Sequence, residues 1–285
     1  MTNMVAFIGF GEAGQAFAGD SRWSAPSNTC AFDVLTDNIA TKTGQMAVYS
    51  ELNIGACDSA KAASASIMLS LVTADQALFV ATDMAQFIEP GALFLDLNSV
   101  APQTKREAAA RIETAGGRYV DVAVMAPVHP ARLDVPLLVS GPHADAGITA
   151  MNQMGFTNVR LVAGPVGRAS SIKMIRSVIV KGIEALTAEA MLAADRADVV
   201  DEVLASLGGD WATKADYNLD RMMVHGTRRA AEMEEVVKTL LALDVNPEMT
   251  RGTVIRQREI GGLMAEVPHG LTAKLETLSA RRHAA

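Results

Sequence analysis

Val5-Ala6-Phe7-Ile8-Gly9-Phe10-Gly11-Glu12-Ala13-Gly14-Gln15-Ala16-Phe17-Ala18 is the stretch whose reading decides the fold. Four apolar residues make a short strand, three glycines spaced G-x-G-x-x-G make a turn, and Gln15 to Ala18 open a helix. That order suits the pyrophosphate of a dinucleotide. The first glycine permits the tight turn, the second lets phosphates approach the backbone, and the third lets the helix pack on the strand. The helix start adds amides that can bond phosphate oxygens. Gly9, Phe10, Gly11, Glu12, Ala13 and Gly14 are therefore candidate cofactor contacts. Glycine spacing alone also fits an ordinary turn; the strand before it and the helix after it favour the cofactor.

Working outward, Asn28 to Phe32 read as a second strand that ends at Asp33, and Ser66 to Val72 as a buried strand rich in Ile, Leu and Val. Leu71 and Val72, at its carboxyl end, are candidate cofactor contacts. Leu93 to Leu97 repeat the pattern before a helical stretch at Gln103 to Ala115, and Tyr119 to Val124 and Pro136 to Ser140 add two more strands. Strands alternating with helices imply an α/β domain of the Rossmann type, a doubly wound and mainly parallel sheet, over residues 1–163. Beyond Gly164-Pro165-Val166-Gly167 the β-branched runs give way to long Ala, Leu, Met, Glu and Arg segments, so 164–285 reads as an all-α domain. Helices are expected at Ser170 to Ala194, Val199 to Leu207, Ala215 to Leu243, Pro247 to Met264 and Leu271 to Arg282. Ile172, Ile175, Ile179, Ile183 and Leu186 suggest that the first of these packs on several sides.

Asp33 stands where an acidic residue accepts hydrogen bonds from the adenosine ribose hydroxyls, and its charge would repel a 2′-phosphate. NAD is favoured over NADP on that ground, with NADP possible. A surface aspartate at a strand end is the plainer alternative.

The chain carries 32 acidic and 25 basic residues, for a net charge of −7, with the basic residues spread along its length. No basic face for nucleic acid is indicated. Two cysteines, Cys30 and Cys57, are too few for a disulfide framework and read as reduced structural thiols of a cytoplasmic protein. No apolar run approaches the roughly 20 residues needed to span a bilayer, and the amino terminus lacks a secretory pattern. The five histidines are scattered without metal-ligand spacing, so no metal is expected.

Several motifs in order resemble the β-hydroxyacid dehydrogenase and 6-phosphogluconate dehydrogenase superfamily. The glycine segment from Gly9 to Ala18 resembles its extended fingerprint, and Asp96-Leu97-Asn98-Ser99-Val100-Ala101-Pro102 its Asp-x-Ser-Thr-x-x-Pro segment. Asp121 to Pro127 falls where the family has its substrate segment, which would make Met125 and Ala126 substrate contacts, and Gly164, Gly167 and Lys173 resemble the start of its catalytic helix. Departures are visible: Arg176 and Ser177 replace two asparagines, and Met125-Ala126-Pro127 replaces Ser-Gly-Gly. His225 to Met233 resembles a less characterised branch with its own helical C-terminal domain. The resemblance implies a homodimer formed through that domain and a cleft between the two domains as the active site.

Lys173 also has a reading from chemistry. Oxidising an alcohol removes a hydride from carbon and a proton from oxygen, so the site needs a base. Burial among Ile172, Met174 and Ile175, with Arg176 one turn along the helix, would favour the neutral amine. Arg176 can bind a substrate carboxylate through its planar fork or serve a structural ion pair. Asn98 and Ser99 follow the carboxyl end of a strand, the edge where ligands sit in open α/β sheets, and would hold substrate or nicotinamide; they also suit a plain turn. The expected activity is reversible hydride transfer between a nicotinamide and the hydroxyl-bearing carbon of a small hydroxyacid, with Lys173 as acid and base. The alternatives are oxidative decarboxylation or imine reduction on the same fold, or NAD sensing without turnover.

Overall fold

The computed structural model describes residues 4–24, 28–261 and 267–282. Its strands are β1 (Val5–Ile8), β2 (Thr29–Phe32), β3 (Gly55–Ala56), β4 (Ile67–Ser70), β5 (Leu93–Asp96), β6 (Arg118–Val124), β7 (Leu137–Ser140) and β8 (Val159–Leu161). Between them lie α1 (Glu12–Ala18), α2 (Ile39–Glu51), α3 (Ser59–Ala63), α4 (Ala77–Met84), α5 (Pro102–Thr114) and α6 (Ala144–Gln153). The long helix α7 (Arg168–Arg196) follows, then α8 (Val200–Leu207), α9 (Trp211–Leu241), α10 (Glu248–Gly261) and α11 (Leu271–Arg282). The chain divides into two compact units, Met1–Met174 and Ile175–Ala285, and the division falls inside α7.

In the first unit the strands form one sheet in the order β3-β2-β1-β4-β5-β6-β7-β8. Every pairing is parallel except β6 with β7. The order reverses between β1 and β4, the switch point at which ligands bind in sheets of this kind. Side chains alternate across the sheet, so Val5 and Phe7 enter one apolar core and Ala6 and Ile8 the other. Both faces are thereby covered, as parallel sheets require. The apolar runs mark the central strands well. The edge strands β3 and β8 are additions to the sequence reading: each is short, and Gly55, Ala56, Arg160 and Leu161 are exposed, so neither carries a buried apolar run.

In the second unit Ala188 and Met191 of α7 pack with Leu219, Met222 and Met223 of α9, Ile260 of α10, and Leu275 and Leu278 of α11. Helices α9 and α10 meet at two glycines: a Cβ built on Gly226 would fall 2.7 Å from the Gly261 Cα. Only residues without side chains allow that approach.

One expectation is corrected here. Within one chain, Ile172, Ile175, Ile179, Ile183 and Leu186 are not packed on several sides; all five are exposed, Ile179 at 65%. Their spacing explains it, since steps of three and four residues put them on one stripe of α7. Met174, Ala185, Ala188, Met191 and Leu192 are among the residues that this helix buries on its other side.

Candidate active site

Parallel pairing brings the carboxyl ends of β1, β2, β4, β5 and β6 to one edge of the sheet. The glycine turn, Asp33, Leu71-Val72, Asn98-Ser99 and Met125-Ala126 all follow those ends.

The turn is fastened from both sides. Gly9 has φ +82°, and a Cβ there would lie 2.7 Å from the Leu71 carbonyl oxygen, so this position excludes a side chain. Phe10 is wholly buried, its ring edge-on to Phe7 and Tyr49 at 5.1 and 5.2 Å, and thus offers only backbone to a ligand. Its amide donates to Asp33 Oδ2 at 2.7 Å, and its carbonyl accepts from Gln15 Nε2 at 2.9 Å and Gln45 Nε2 at 3.0 Å. Gly14 packs against the Phe10 ring, where a Cβ would come within 2.9 Å.

Gly11 differs from the other two. A Cβ there meets nothing within 4 Å, so no neighbour in the chain requires glycine. Gly11, Glu12 and the half-buried Ala13 lie at the start of α1, which no side chain caps. An open position at an uncapped helix start fits a pyrophosphate, which needs bare backbone and donated N–H groups.

Asp33 is buried, and each carboxylate oxygen accepts one backbone bond, Oδ2 from Phe10 and Oδ1 from Leu35 at 2.9 Å. A carboxylate has about four acceptor positions, so it retains capacity for ribose hydroxyls while tying the glycine turn to β2. Asn98 is committed more fully. Its Oδ1 accepts from the Val72 amide at 2.7 Å and its Nδ2 donates to Ser70 Oγ at 2.9 Å, which locks the ends of β4 and β5 together.

Lys173, half-buried on the second turn of α7, donates through Nζ to Ser99 Oγ. The structure thus joins two of the sequence-predicted residues directly. Met174 beside it is buried, but Ile172 and Ile175 are exposed, so among the described residues these two do not form the apolar surround expected of them. Arg176 is exposed one turn further on, and Met125 and Ala126 are half-buried, Met125 packing against Ala123, Leu138 and Ala169. His129 is exposed in the loop after β6.

Behind Ser99 lies a buried polar network that the sequence reading missed. Asp96 and Asp121 are directly paired across β5 and β6, and both are fully buried. Two carboxylates so placed need a cation, and Lys105 of α5 supplies it, 2.9 Å from Asp96 Oδ1 and 3.6 Å from Asp121 Oδ1. Tyr119 donates to Asp96 Oδ2 at 2.6 Å; burial, with Asp96 and Asp121 nearby, holds its phenol well above the ordinary tyrosine pKa and so keeps the donor protonated. Asp121 also anchors α7. It accepts from the Gly167 amide at 2.9 Å, the Ser170 amide at 3.3 Å and Ser170 Oγ at 2.6 Å, while Ser140 Oγ donates to it at 2.9 Å and accepts from the Ala169 amide at 3.0 Å. Helix starts carry unpaired N–H groups and a positive end of the dipole, so a buried carboxylate there fixes the helix that carries Lys173. Among the described residues no cluster of three or more metal-ligating side chains occurs, and no helix is long and apolar enough to cross a membrane.

Residues 4–151 match the family described as the NAD binding domain of 6-phosphogluconate dehydrogenase, and residues 194–260 match a domain of unknown function, DUF1932. A conserved hypothetical protein from Sinorhizobium meliloti 1021 is 38% identical, covering 99% of this chain and 97% of its own, with a TM-score of 0.72. The conserved protein MTH1747, of unknown function and described as structurally similar to 3-hydroxyacid dehydrogenases, is 28% identical over 91% of this chain and 97% of its own, with a TM-score of 0.66. The 3-hydroxyisobutyrate dehydrogenase of Salmonella typhimurium shares the fold at 20% identity, over 96% of this chain and 99% of its own, with a TM-score of 0.68. Sheet order, glycine turn and family match agree: the chain belongs to the family built on the NAD-binding domain of 6-phosphogluconate dehydrogenase, joined to a helical C-terminal domain of unknown function.

Proposed function

We propose that the protein is an NAD(P)-dependent dehydrogenase that oxidises the hydroxyl-bearing carbon of a small hydroxyacid, with Lys173 as the acid–base group. The observation that carries this reading is the Lys173–Ser99 hydrogen bond beyond the end of β5, on the sheet edge that also carries the glycine turn. Gly9 to Gly14 and Asp33 would hold the cofactor, with Leu71 and Val72 beside the turn, and NAD(P) held there would supply the hydride acceptor or donor. Lys173 takes the hydroxyl proton in oxidation and gives it back in reduction. Ser99 orients the ammonium and can donate its own proton to the substrate oxygen. Asn98 acts as a positioning residue through Val72 and Ser70, and Arg176 receives the substrate carboxylate. Mixing NAD with short hydroxyacids tests the reading: reduced nicotinamide should accumulate with at least one of them, and tight cofactor binding without turnover across chain lengths and hydroxyl positions would favour a sensor.

NAD is the preferred cofactor, because the buried Asp33 carboxylate would face a 2′-phosphate. Asp33→Ala should weaken both cofactors by loosening the glycine turn, yet the ratio of their dissociation constants should shift toward NADP by about tenfold or more, since like charges brought together cost at least about 1.4 kcal/mol. An unchanged ratio removes Asp33 from cofactor discrimination, whatever happens to the absolute affinities.

The working form is a homodimer. The exposed stripe on α7 supports this, because its spacing reads the same in both directions. A second α7 laid antiparallel brings Ile172 to Leu186, Ile175 to Ile183 and Ile179 to its own copy, the self-complementarity that a two-fold interface requires. Contiguous exposed apolar surface of this kind marks interaction sites. Ile179→Glu should convert a dimer to a monomer in light-scattering measurements while the far-UV spectrum stays unchanged; a wild type that is itself monomeric, or a variant that remains dimeric, contradicts the assignment.

A further inference from the structure

Cys30 lies on β2 and Cys57 directly follows β3, and the two strands are held in register by Cys30 opposite Gly55 and Ala31 opposite Ala56. The Cys57 amide extends the pairing by donating to the Ala31 carbonyl at 3.1 Å. Both thiols then turn to the same face of the sheet, where Cys57 packs on the apolar cluster that contains Cys30. Their sulfurs are 2.8 Å apart, with both cysteines free. That is about 0.8 Å more than the covalent distance of about 2.05 Å. Cys30 is 4% exposed and Cys57 half-buried, so the pair can be reached by a small oxidant from the Cys57 side and is shielded from bulky thiols.

We propose that Cys30 and Cys57 are a redox modification site, closing a reversible intramolecular disulfide when the protein meets hydrogen peroxide. The pair shares a proton: the hydrogen bond from Cys57 lowers the Cys30 thiol, with the Lys61 charge adding to it against burial, and the same bond together with burial raises Cys57. One thiolate is therefore favoured and a second opposed, the arrangement of a nucleophile beside a resolving partner. The thiolate attacks one peroxide oxygen and the O–O bond breaks. Sulfur becomes a sulfenic acid, and the departing hydroxide takes the partner's proton as water. The second thiolate then attacks the sulfenic sulfur, the S–S bond forms, and hydroxide leaves to become a second water on protonation. Two thiols are oxidised by two electrons and one peroxide is reduced to two waters. The bridge fastens the two-residue edge strand β3 to β2, three residues before Asp33.

The test uses the full chain in its native state. After brief exposure to peroxide and alkylation in denaturant, the wild type should lose both titratable thiols and about 2 Da, recover them with dithiothreitol, and yield a peptide pair joined at Cys30 and Cys57. Cys30→Ser and Cys57→Ser should each instead hold a sulfenic acid that dimedone, added with the denaturant, traps. The oxidised wild type should also melt a few degrees higher than the reduced protein, because a bridge that native geometry accommodates restricts the unfolded chain. Retention of both thiols, over-oxidation without a bridge, linkage between two chains, or a bridge that lowers the melting temperature would each overturn the proposal.

Discussion

Lys173→Met should lower kcat by about 10²–10⁴-fold, the usual worth of a positioned acid–base group, while NAD affinity stays at the wild-type level. Methionine keeps an unbranched apolar stem and good helix propensity, so α7 and its contacts survive the change. What it removes is the nitrogen that donates to Ser99 Oγ. In the oxidation direction the wild-type rate should rise with pH as the amine gives up its proton, and this limb should be missing from the variant. The proposed cofactor contacts begin at Gly9 and Asp33, on other elements, which is why binding and turnover should separate. A near-normal kcat would assign the proton to another group. Loss of NAD binding would mean that α7 supports the cofactor site and takes no part in the chemistry.

The second large effect is expected on stability. Asp121→Asn should destabilise the first unit by about 3–5 kcal/mol, the penalty of breaking a buried ion pair and leaving its partner uncompensated. The loss compounds three contributions from a single side chain. Lys105 would keep only Asp96 as a counter-charge, the first amides of α7 would lose a charged acceptor, and an Asn NH2 would face donors at Gly167 and Ser170. Asp145→Asn, a change of the same chemistry at an exposed position on α6, is the control and should shift the urea midpoint little. Equal midpoints for the two variants would show that the network adds no net stability over the same groups hydrated in the unfolded chain. Because Asp121 sets the start of α7, the Asn variant should also lose turnover more steeply than cofactor affinity.

Much of the candidate site's placement was legible because one physical rule sets it. Apolar runs gave β1, β2, β4, β5 and β6, and parallel pairing then carries Gly9, Asp33, Val72 and Ser99 to one edge without further information. The buried network was not legible. Lys105 sits in Gln103-Thr104-Lys105-Arg106-Glu107, which in isolation looks like the wet face of a helix. Only the register that pairs Asp96 with Asp121 creates the need for a buried cation. Phe10 shows a similar limit: the glycine fingerprint makes it a candidate cofactor contact, and only the fold shows that its ring belongs to the core with Phe7 and Tyr49, leaving its backbone to a ligand. The apolar stripe of α7 was visible in the sequence, but apolar spacing shows that a face is made for burial and says nothing of what covers it.

Hydride transfer between a substrate carbinol carbon and a nicotinamide is the step on which the proposed activity depends. Incubating the protein with NAD and short hydroxyacids deuterated at the carbinol carbon, then weighing the recovered reduced cofactor by mass spectrometry, tests it most directly. The wild type should give one deuterium per reduced nicotinamide, and Lys173→Met a rate lower by about 10²–10⁴-fold; reduced cofactor that carries no deuterium, or bound NAD that no hydroxyacid reduces, would rule out a dehydrogenase of this kind.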